Sequence, residues 1–152
     1  MIKRFSAHVL VLSVIANLVI ASHTNATSNQ SLTVTVGKLR NQRGQVCLSL
    51  FSDNQGFPSS SDRAIEARCV SAGDAPVVAT FNNLSAGSYA VAVIHDANMD
   101  GTLNSGFLGI PKEGFGFSRN PRIRTGSPKF RDAAILVSGQ STNIQIQLKY
   151  FL

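Results

Sequence analysis

Three observations on the sequence predict an all-β fold. Apolar and polar residues alternate with a period of two along most of the chain beyond residue 30, and turn signals separate the alternating stretches. No stretch carries a convincing helical stripe of apolar residues. With 152 residues, 43% of them hydrophobic and 14% charged, the chain has the size of one domain and enough apolar material for a core. These features predict a single antiparallel β-sandwich and argue against a two-domain enzyme.

The strands of this sandwich can be placed one by one. In the first, Leu32, Val34 and Val36 alternate with threonines, which is typical of a strand with one buried face. About seven strands are expected, at residues 32–36, 46–51, 64–70, 75–81, 88–94, 132–137 and 143–150. A short helical turn fits best between residues 60 and 68. Short, closely spaced strands of this kind are typical of immunoglobulin-like or prealbumin-like sandwiches.

The N-terminus has the pattern of a signal peptide, which we predict for residues 1–26. Two basic residues precede an apolar run that is too short, and too often interrupted by polar residues, to remain in a bilayer as an anchor. Small residues allow cleavage after Ala21 or after Ala26. We therefore expect an exported protein without a stable membrane anchor, whose β-sandwich domain comprises residues 27–152.

Cleavage would remove Lys3 and Arg4, leaving 12 basic and 8 acidic side chains and lowering the net charge from +6 to +4. The remaining basic residues are densest in one group, which we call the basic cluster: Arg119, Arg122, Arg124, Lys129 and Arg131. An exported chain seldom meets nucleic acid, so no nucleic-acid partner is expected. The basic cluster is either a solvated loop or a site for an anionic partner, such as lipid headgroups or an acidic polysaccharide.

Cys47 and Cys69 are the two cysteines of the chain. Both lie in the part that is predicted to be exported, where the compartment is oxidising, so we expect one disulfide between them. Such a bond would stabilise the fold by roughly 3 kcal/mol, because it restricts the unfolded chain. The alternative is a pair of separate buried thiols, since Cys47 lies within an apolar strand pattern.

A long segment rich in Gly, Pro and Phe separates the fifth and sixth predicted strands, between residues 94 and 132. Loops of this length are uncommon in compact domains unless they are functional. The aromatic rings of the segment either dock onto an open face or end of the sandwich or remain exposed as a surface for sugars, a peptide or a partner protein. The residues of this predicted binding surface are His95, Phe107, Lys112, Glu113, Phe115, Phe117 and Arg119.

The segment opens with half of a calcium-binding motif. Residues 96–101 have the form Asp-x-Asn-x-Asp-Gly, in which oxygen atoms at alternate positions can converge on a hard cation. The predicted Ca²⁺ ligands are Asp96, Asn98, Asp100, Thr102 and Asn104. Phe107 stands where the complete motif has a bidentate Glu, so the expected dissociation constant is weak, on the order of 0.1 to 1 mM. The alternative is an Asx-turn loop, in which the same side chains bond to their own backbone.

His95 borders this motif and raises the question of catalysis. A small secreted hydrolase centred on His95, Asp96 and Glu113 is the alternative function, since a His beside an Asp can act as a general base. No Ser or Cys stands out as an activated nucleophile, and one His beyond the predicted signal peptide is too few for a zinc site. We therefore expect a non-catalytic binding or assembly module, in which a calcium-ordered loop presents a recognition surface to a carbohydrate, a peptide or an envelope protein.

Two runs of sequence are distinctive enough to carry a family resemblance. The first is residues 87–101, and the second, residues 107–118, reads Phe-Leu-Gly-Ile-Pro-Lys-Glu-Gly-Phe-Gly-Phe-Ser. They resemble the signature of a bacterial family catalogued as domain of unknown function 2141, and the resemblance extends to residues 127–133 and to the last strand. It implies a bacterial, exported β-sandwich, for which the periplasm or the extracellular space is the expected location, and it implies no particular reaction.

Overall fold

The computed structural model describes residues 29–73 and 76–151, and their strands form two sheets. The strands, in chain order, are β1 Gln30–Gly37, β2 Gln45–Phe51, β3 Glu66–Ser71, β4 Val77–Leu84, β5 Gly87–Asp96, β6 Gly114–Phe117, β7 Ile135–Val137 and β8 Ser141–Gln147. A short helix, α1, spans Phe130–Ala133, and 3₁₀ turns cover Ser61–Arg63 and Phe107–Gly109. The predicted signal peptide, residues 1–26, lies outside the described residues and stays a prediction.

The two sheets confirm the predicted all-β sandwich. β1 lies between β4 and β8 in a three-stranded sheet. The second sheet has the order β3–β2–β5, and β6 and β7 pair with successive parts of β5. Most neighbouring strands are antiparallel, but β1 and β8 are parallel. The sequence predicts a purely antiparallel sandwich, and for this pair of strands the prediction is wrong. The reason is the route of the chain, which leaves β7 through a turn at residues 138–140 and enters the other sheet in the direction of β1.

The alternating apolar residues of the strands form the core between the sheets. Leu32, Val34 and Val36 of β1 are fully buried, and they belong to the same core as Leu48 of β2 and Phe81 of β4. The residues between them on β1 are partly exposed. The period of two in the sequence is therefore the burial pattern of strands that have one face against the core.

The five-stranded sheet is apolar on its outer face as well. Ala92 of β5 pairs with Phe117 of β6, and both belong with Phe115 to a second buried cluster. The rings of Phe57 and Phe130, which lie outside the sheet, pack against this cluster and meet each other edge to face. Burial on both faces explains why β5 carries a continuous apolar run instead of a strict alternation.

Two local elements differ from those that the sequence predicts. β6 lies inside the segment expected to be a loop, and all four of its residues are buried, so no alternation marks it. The strand predicted at residues 132–137 is α1 followed by the shorter β7. The helical turn forms there because the Asp132 carboxylate accepts a hydrogen bond from the backbone N–H of Lys129, which caps its first turn. The turn Ser61–Arg63 falls where the sequence allows one.

The predicted disulfide between Cys47 and Cys69 is present. The two cysteines are directly opposite each other in the antiparallel ladder of β2 and β3. They are 22 positions apart in sequence, and closing a loop of this size stabilises a fold by roughly 3 kcal/mol. Because Val46 and Leu48 point into the core, Cys47 points to the outer face of the five-stranded sheet. The bond therefore belongs to the face on which the long segment packs.

Candidate functional site

The loop that follows β5 is organised by the carboxylate of Asp96, which is the last residue of that strand and is fully buried. Its Oδ2 accepts hydrogen bonds from Gln45 Nε2 and from the backbone N–H of Gly101, both at 2.8 Å. Its Oδ1 accepts a third from the backbone N–H of Asp100 at 3.1 Å. Gly101 has a φ of 77°, which glycine adopts without steric strain. The chain thus folds back around one side chain.

Asp100 holds the next part of the loop. Its Oδ1 accepts hydrogen bonds from the backbone N–H and from the hydroxyl of Thr102, at 2.9 and 2.8 Å. Its Oδ2 accepts from Nδ2 of Asn98 and from Nδ2 of Asn104, each at 2.8 Å. The residues predicted to bind Ca²⁺ therefore lie in one hydrogen-bonded loop, and both asparagines direct their NH₂ groups at Asp100.

Glu113 connects the far end of the loop to its beginning. Its Oε1 accepts a hydrogen bond from the backbone N–H of Ala97 at 3.1 Å, and its Oε2 accepts one from the backbone N–H of Asn104 at 2.9 Å. Between these anchors, backbone hydrogen bonds pair residues 104–106 with residues 110–112. The turn Phe107–Gly109 is consequently carried at the end of a short hairpin.

The aspartates of the loop are held in their charged form. Burial acts to raise the pKa of Asp96, but hydrogen bonds from Gln45 and from the backbone of residues 99–101 outweigh it, and the pKa lies below its usual 3.8. For Asp100, the side chain of Asn104 lowers the pKa most, followed by Thr102 and Asn98. Hydrogen bonds to a charged acceptor are stronger than neutral ones, so the loop is held most firmly when both carboxyls are ionised.

These contacts bear on the two interpretations of the motif. Hydrogen bonds from backbone N–H groups to Asp96 and Asp100 are those of an Asx-turn loop. A Ca²⁺ ion takes oxygen ligands, whereas Asn98 and Asn104 present nitrogen atoms to Asp100. Within residues 29–73 and 76–151, no group of three or more His, Cys, Asp or Glu side chains is placed to hold a metal ion. Calcium binding stays a prediction, and it requires the two amides to rotate.

His95 lies on the opposite face of β5 and is only 1% exposed. Its Nε2 is 2.9 Å from the carbonyl oxygen of Arg43, which can only accept, so this nitrogen carries the proton. Its Nδ1 accepts from the hydroxyl of Tyr150 at 2.7 Å, and that hydroxyl accepts from the backbone N–H of Arg40. Gly114 permits this contact, because a side chain there would collide with the Tyr150 ring. Burial raises the pKa of Tyr150.

The three residues of the hydrolase hypothesis are engaged in separate structural contacts. His95 bonds to the carbonyl oxygen of Arg43 and to the hydroxyl of Tyr150 on the inner face of the sheet. Asp96 and Glu113 accept hydrogen bonds from different parts of the loop on the other side. The structure therefore does not bring them together as an acid, a base and a nucleophile around one reacting atom.

The predicted binding surface divides into a buried part and an exposed part. Phe115 and Phe117 lie on β6 and are buried in the second cluster. Phe107 is 87% exposed, and Leu108 beside it is 80% exposed. Ile110 also counts among the exposed apolar residues. We call Phe107, Leu108 and Ile110 the apolar tip, since together they present an apolar surface to solvent at the end of the hairpin.

A cleft of about 850 Å³ opens between the loop and the outer face of the five-stranded sheet, and we call it the outer-face cleft. Ser49 of β2, Ala67 of β3 and Ile94 of β5 line it from the sheet, next to the disulfide. Leu108 and Ile110 of the apolar tip line it from the loop. The sheet, the loop and the segment around residue 124 thus enclose a single concave surface.

Part of the basic cluster lies at this cleft. Arg124 lines the outer-face cleft and also a neighbouring hollow of about 440 Å³, whereas Arg122 lines the hollow alone. Lys112 is exposed, and Arg119 is exposed with its Nη1 at 3.4 Å from the carbonyl oxygen of Arg131. The positive charges predicted from the sequence are therefore on the surface, and one of them reaches the cleft.

Sequence patterns miss the residues that act across strands. Gln45 bonds to Asp96 at a sequence separation of 51, and Tyr150 bonds to His95 at a separation of 55. No spacing rule identifies partners so far apart in a single sequence. The sheet side of the outer-face cleft does leave a signal. Outward positions such as Cys47, Ala67 and Ile94 are small or apolar, although an outer face in contact with water would favour polar residues.

The protein is thus a two-sheet β-sandwich domain with a hydrogen-bonded loop and an apolar hairpin tip after its fifth strand. The chain belongs to the bacterial family described as "Uncharacterized protein conserved in bacteria (DUF2141)", whose model matches residues 34–145. This match confirms the resemblance carried by residues 87–101 and 107–118. No curated protein and no solved structure matches the chain. None of the helices in the described part is long and apolar enough to cross a membrane.

The hydrogen bonds to the Asp96 and Asp100 carboxylates lead us to expect a loss of stability in acid. The pKa of each carboxyl is lower in the folded protein than its usual 3.8, so the unfolded chain takes up protons first as the pH falls. The free energy of unfolding, measured by urea titration, should be fully retained above about pH 5 and should fall below it until the pH has passed through the folded pKa. Asp96→Asn should lower the free energy of unfolding at pH 7 by about 1–3 kcal/mol, because the buried NH₂ group of the asparagine then faces backbone N–H groups that need an acceptor.

The matched control is Asp62→Asn, because Asp62 is an exposed aspartate in the turn Ser61–Arg63. It should change the free energy of unfolding at pH 7 by less than about 0.5 kcal/mol. Equal stability and equal acid profiles of Asp96→Asn and Asp62→Asn would contradict the role assigned to the buried carboxylate.

Proposed function

We propose that this protein is an exported, non-catalytic binding module that recognises its partner with the apolar tip and the adjoining outer-face cleft. The observation that carries the proposal is the exposure of Phe107 and Leu108 at the end of a hydrogen-bonded hairpin. Soluble proteins bury most large apolar side chains, and exposed apolar patches mark sites at which another molecule binds. The tip is thus the first place at which a partner is to be sought.

The framework of the loop supports recognition by a pre-formed surface. Asp96 fixes the start of the loop, and Glu113 joins its two ends. A surface that is ordered before binding loses less conformational entropy when the partner arrives. The same contacts, together with the buried position of His95, favour binding over the hydrolase alternative.

The chemistry of the tip favours partners that offer apolar surface. An exposed phenylalanine ring can stack on a sugar ring or enter a pocket of a peptide or protein, so the proposed partner is a carbohydrate, a peptide or an envelope protein. Export to the periplasm or the extracellular space is supported by the disulfide, by the bacterial family and by the predicted signal peptide.

Weak Ca²⁺ binding is the second element of the proposal. Asp100 already draws Asn98, Thr102 and Asn104 together, so rotation of the two amides would direct oxygen atoms at a common point. A Ca²⁺ ion at this point would contact the Asp100 carboxylate directly, in place of the amide N–H groups that now donate to it. The loop then becomes more firmly ordered, and with it the tip.

Calorimetric melting with added Ca²⁺, and then with a chelator, tests this element. At a Ca²⁺ concentration ten times the dissociation constant, binding to the folded state alone adds about 1.4 kcal/mol to the free energy of unfolding and raises Tm. Asp100→Asn should abolish the increase, whereas the exposed Asp62→Asn should retain it. An unchanged Tm of the wild-type protein at Ca²⁺ well above 1 mM contradicts calcium binding in the range typical of extracellular modules.

Recognition by the tip is tested on glycan and peptide arrays probed with labelled protein. The double variant Phe107→Ser, Leu108→Ser should lose about tenfold or more in affinity for any ligand found, because it removes the apolar anchor. Leu136→Ser is the matched control, since Leu136 is an exposed leucine on β7. Equal binding by the wild type and both variants would show that the tip is not the recognition surface.

A further inference from the structure

The outer-face cleft has the size of a small-ligand site. Its volume of about 850 Å³ lies within the range of roughly 300–1,000 Å³ that is usual for such sites. Apart from Arg68, the residues that line it from the sheet are small or apolar, as at Ser49, Ala67 and Ile94. Leu108 and Ile110 line it from the loop. An elongated apolar group can therefore lie along the sheet under the hairpin.

The charge at the cleft is of one sign. Among the described residues that line it there is no Asp or Glu, and the charged side chains of the lining are those of Arg68 and Arg124. Arg124 lines the cleft, is exposed, and forms no ion pair within the described part of the chain. The other lining arginine, Arg68, is already paired with Glu66. The cleft thus combines apolar side chains with serine and threonine hydroxyls and with one guanidinium that is available to an anion.

We propose that the outer-face cleft binds a single-chain amphiphile with an anionic head group, of the fatty-acid class. The acyl chain lies between Ala67 and Ile94 on the sheet side and Ile110 on the loop side, and the carboxylate bonds to the guanidinium of Arg124. Arginine suits this role because its planar group can donate two parallel hydrogen bonds to one carboxylate. The inference rests on the proposed binding function and names the ligand class of its cleft.

Over the face of the sheet, the architecture favours this occupant over a peptide strand, which could pair only at the outer edge of β3. The sheet presents its face to the cleft, and β2 is paired on both sides, by β3 and by β5. Its backbone N–H and C=O groups are therefore used within the sheet, and an incoming peptide cannot add to it as a further strand. An acyl chain needs no such partners, since its binding depends on the apolar area that it buries.

Isothermal titration of the purified chain, with its disulfide intact, tests the proposal. The probes are dodecanoate and tetradecanoate below their critical micelle concentrations, with dodecyltrimethylammonium as the cationic comparison. Burial of two further methylenes should make tetradecanoate bind about 15-fold more tightly than dodecanoate. The cationic amphiphile should bind at least about tenfold more weakly than dodecanoate, because it cannot bond to Arg124.

Two pairs of variants locate the site. Ala67→Phe fills the cleft and should abolish dodecanoate binding, while Val78→Phe, at an exposed position on β4 of the other sheet, should leave it unchanged. Arg124→Gln should weaken dodecanoate binding about tenfold. Arg122→Gln makes the same change of charge outside the cleft and should leave dodecanoate binding unchanged. Circular dichroism and urea unfolding confirm that each variant is folded.

Several outcomes overturn the proposal. These are the absence of dodecanoate and tetradecanoate binding, equal binding of the anionic and cationic chains, and unchanged binding by folded Ala67→Phe. If the amphiphiles fail to bind while array binding still depends on the apolar tip, the inference about the cleft is wrong and the proposed function stands. If the amphiphiles bind as expected and the tip variant binds array ligands like the wild type, the cleft assignment holds and recognition by the tip is wrong.

Discussion

The candidate site depends above all on the buried carboxylate of Asp96. A carboxylate withdrawn from water is tolerated only when hydrogen-bond donors surround it, and Gln45, Asp100 and Gly101 supply them. Two of these donors are backbone groups four and five residues further along the chain, so the chain must fold back as soon as β5 ends. Glu113 repeats this arrangement where the loop returns to the sheet. One electrostatic requirement thus determines where the hairpin stands and which part of the sheet it leaves open.

The two faces of β5 have different roles, and this division separates residues that are adjacent in sequence. His95 points into the core and bonds to Tyr150, whereas Asp96 points to the loop. Successive side chains of a strand lie on opposite faces, so a His-Asp pair that resembles a catalytic dyad in the sequence is divided between two environments. On the loop side, Ile94 and the β6 phenylalanines give the sheet a second apolar face. The cleft lies where the covering segments leave part of this face open.

Features that depend on local periodicity could be predicted from the sequence. β1 has one buried face and shows it as a clear alternation. The bond between Cys47 and Cys69 is expected because both lie in the part of the chain that is predicted to be exported. β6 could not be predicted, because all of its residues are buried and no polar residue marks an outer face. The direction of β8 could not be predicted either, since alternation is the same in parallel and antiparallel pairs. The motif at residues 96–101 indicated where the loop begins, but its partner Gln45 lies too far along the chain for any spacing rule.

If Asp96 holds the loop in place, amide hydrogen exchange measured by NMR at neutral pH should show it. The backbone N–H groups of Asp100 and Gly101 should exchange far more slowly than in an unstructured peptide, because they are bonded to a buried carboxylate. In Asp96→Ala both amides should lose this protection, while those of β1, in the other sheet, keep theirs. Rapid exchange of both amides in the wild-type protein, in the presence of a protected β1, would contradict the claim.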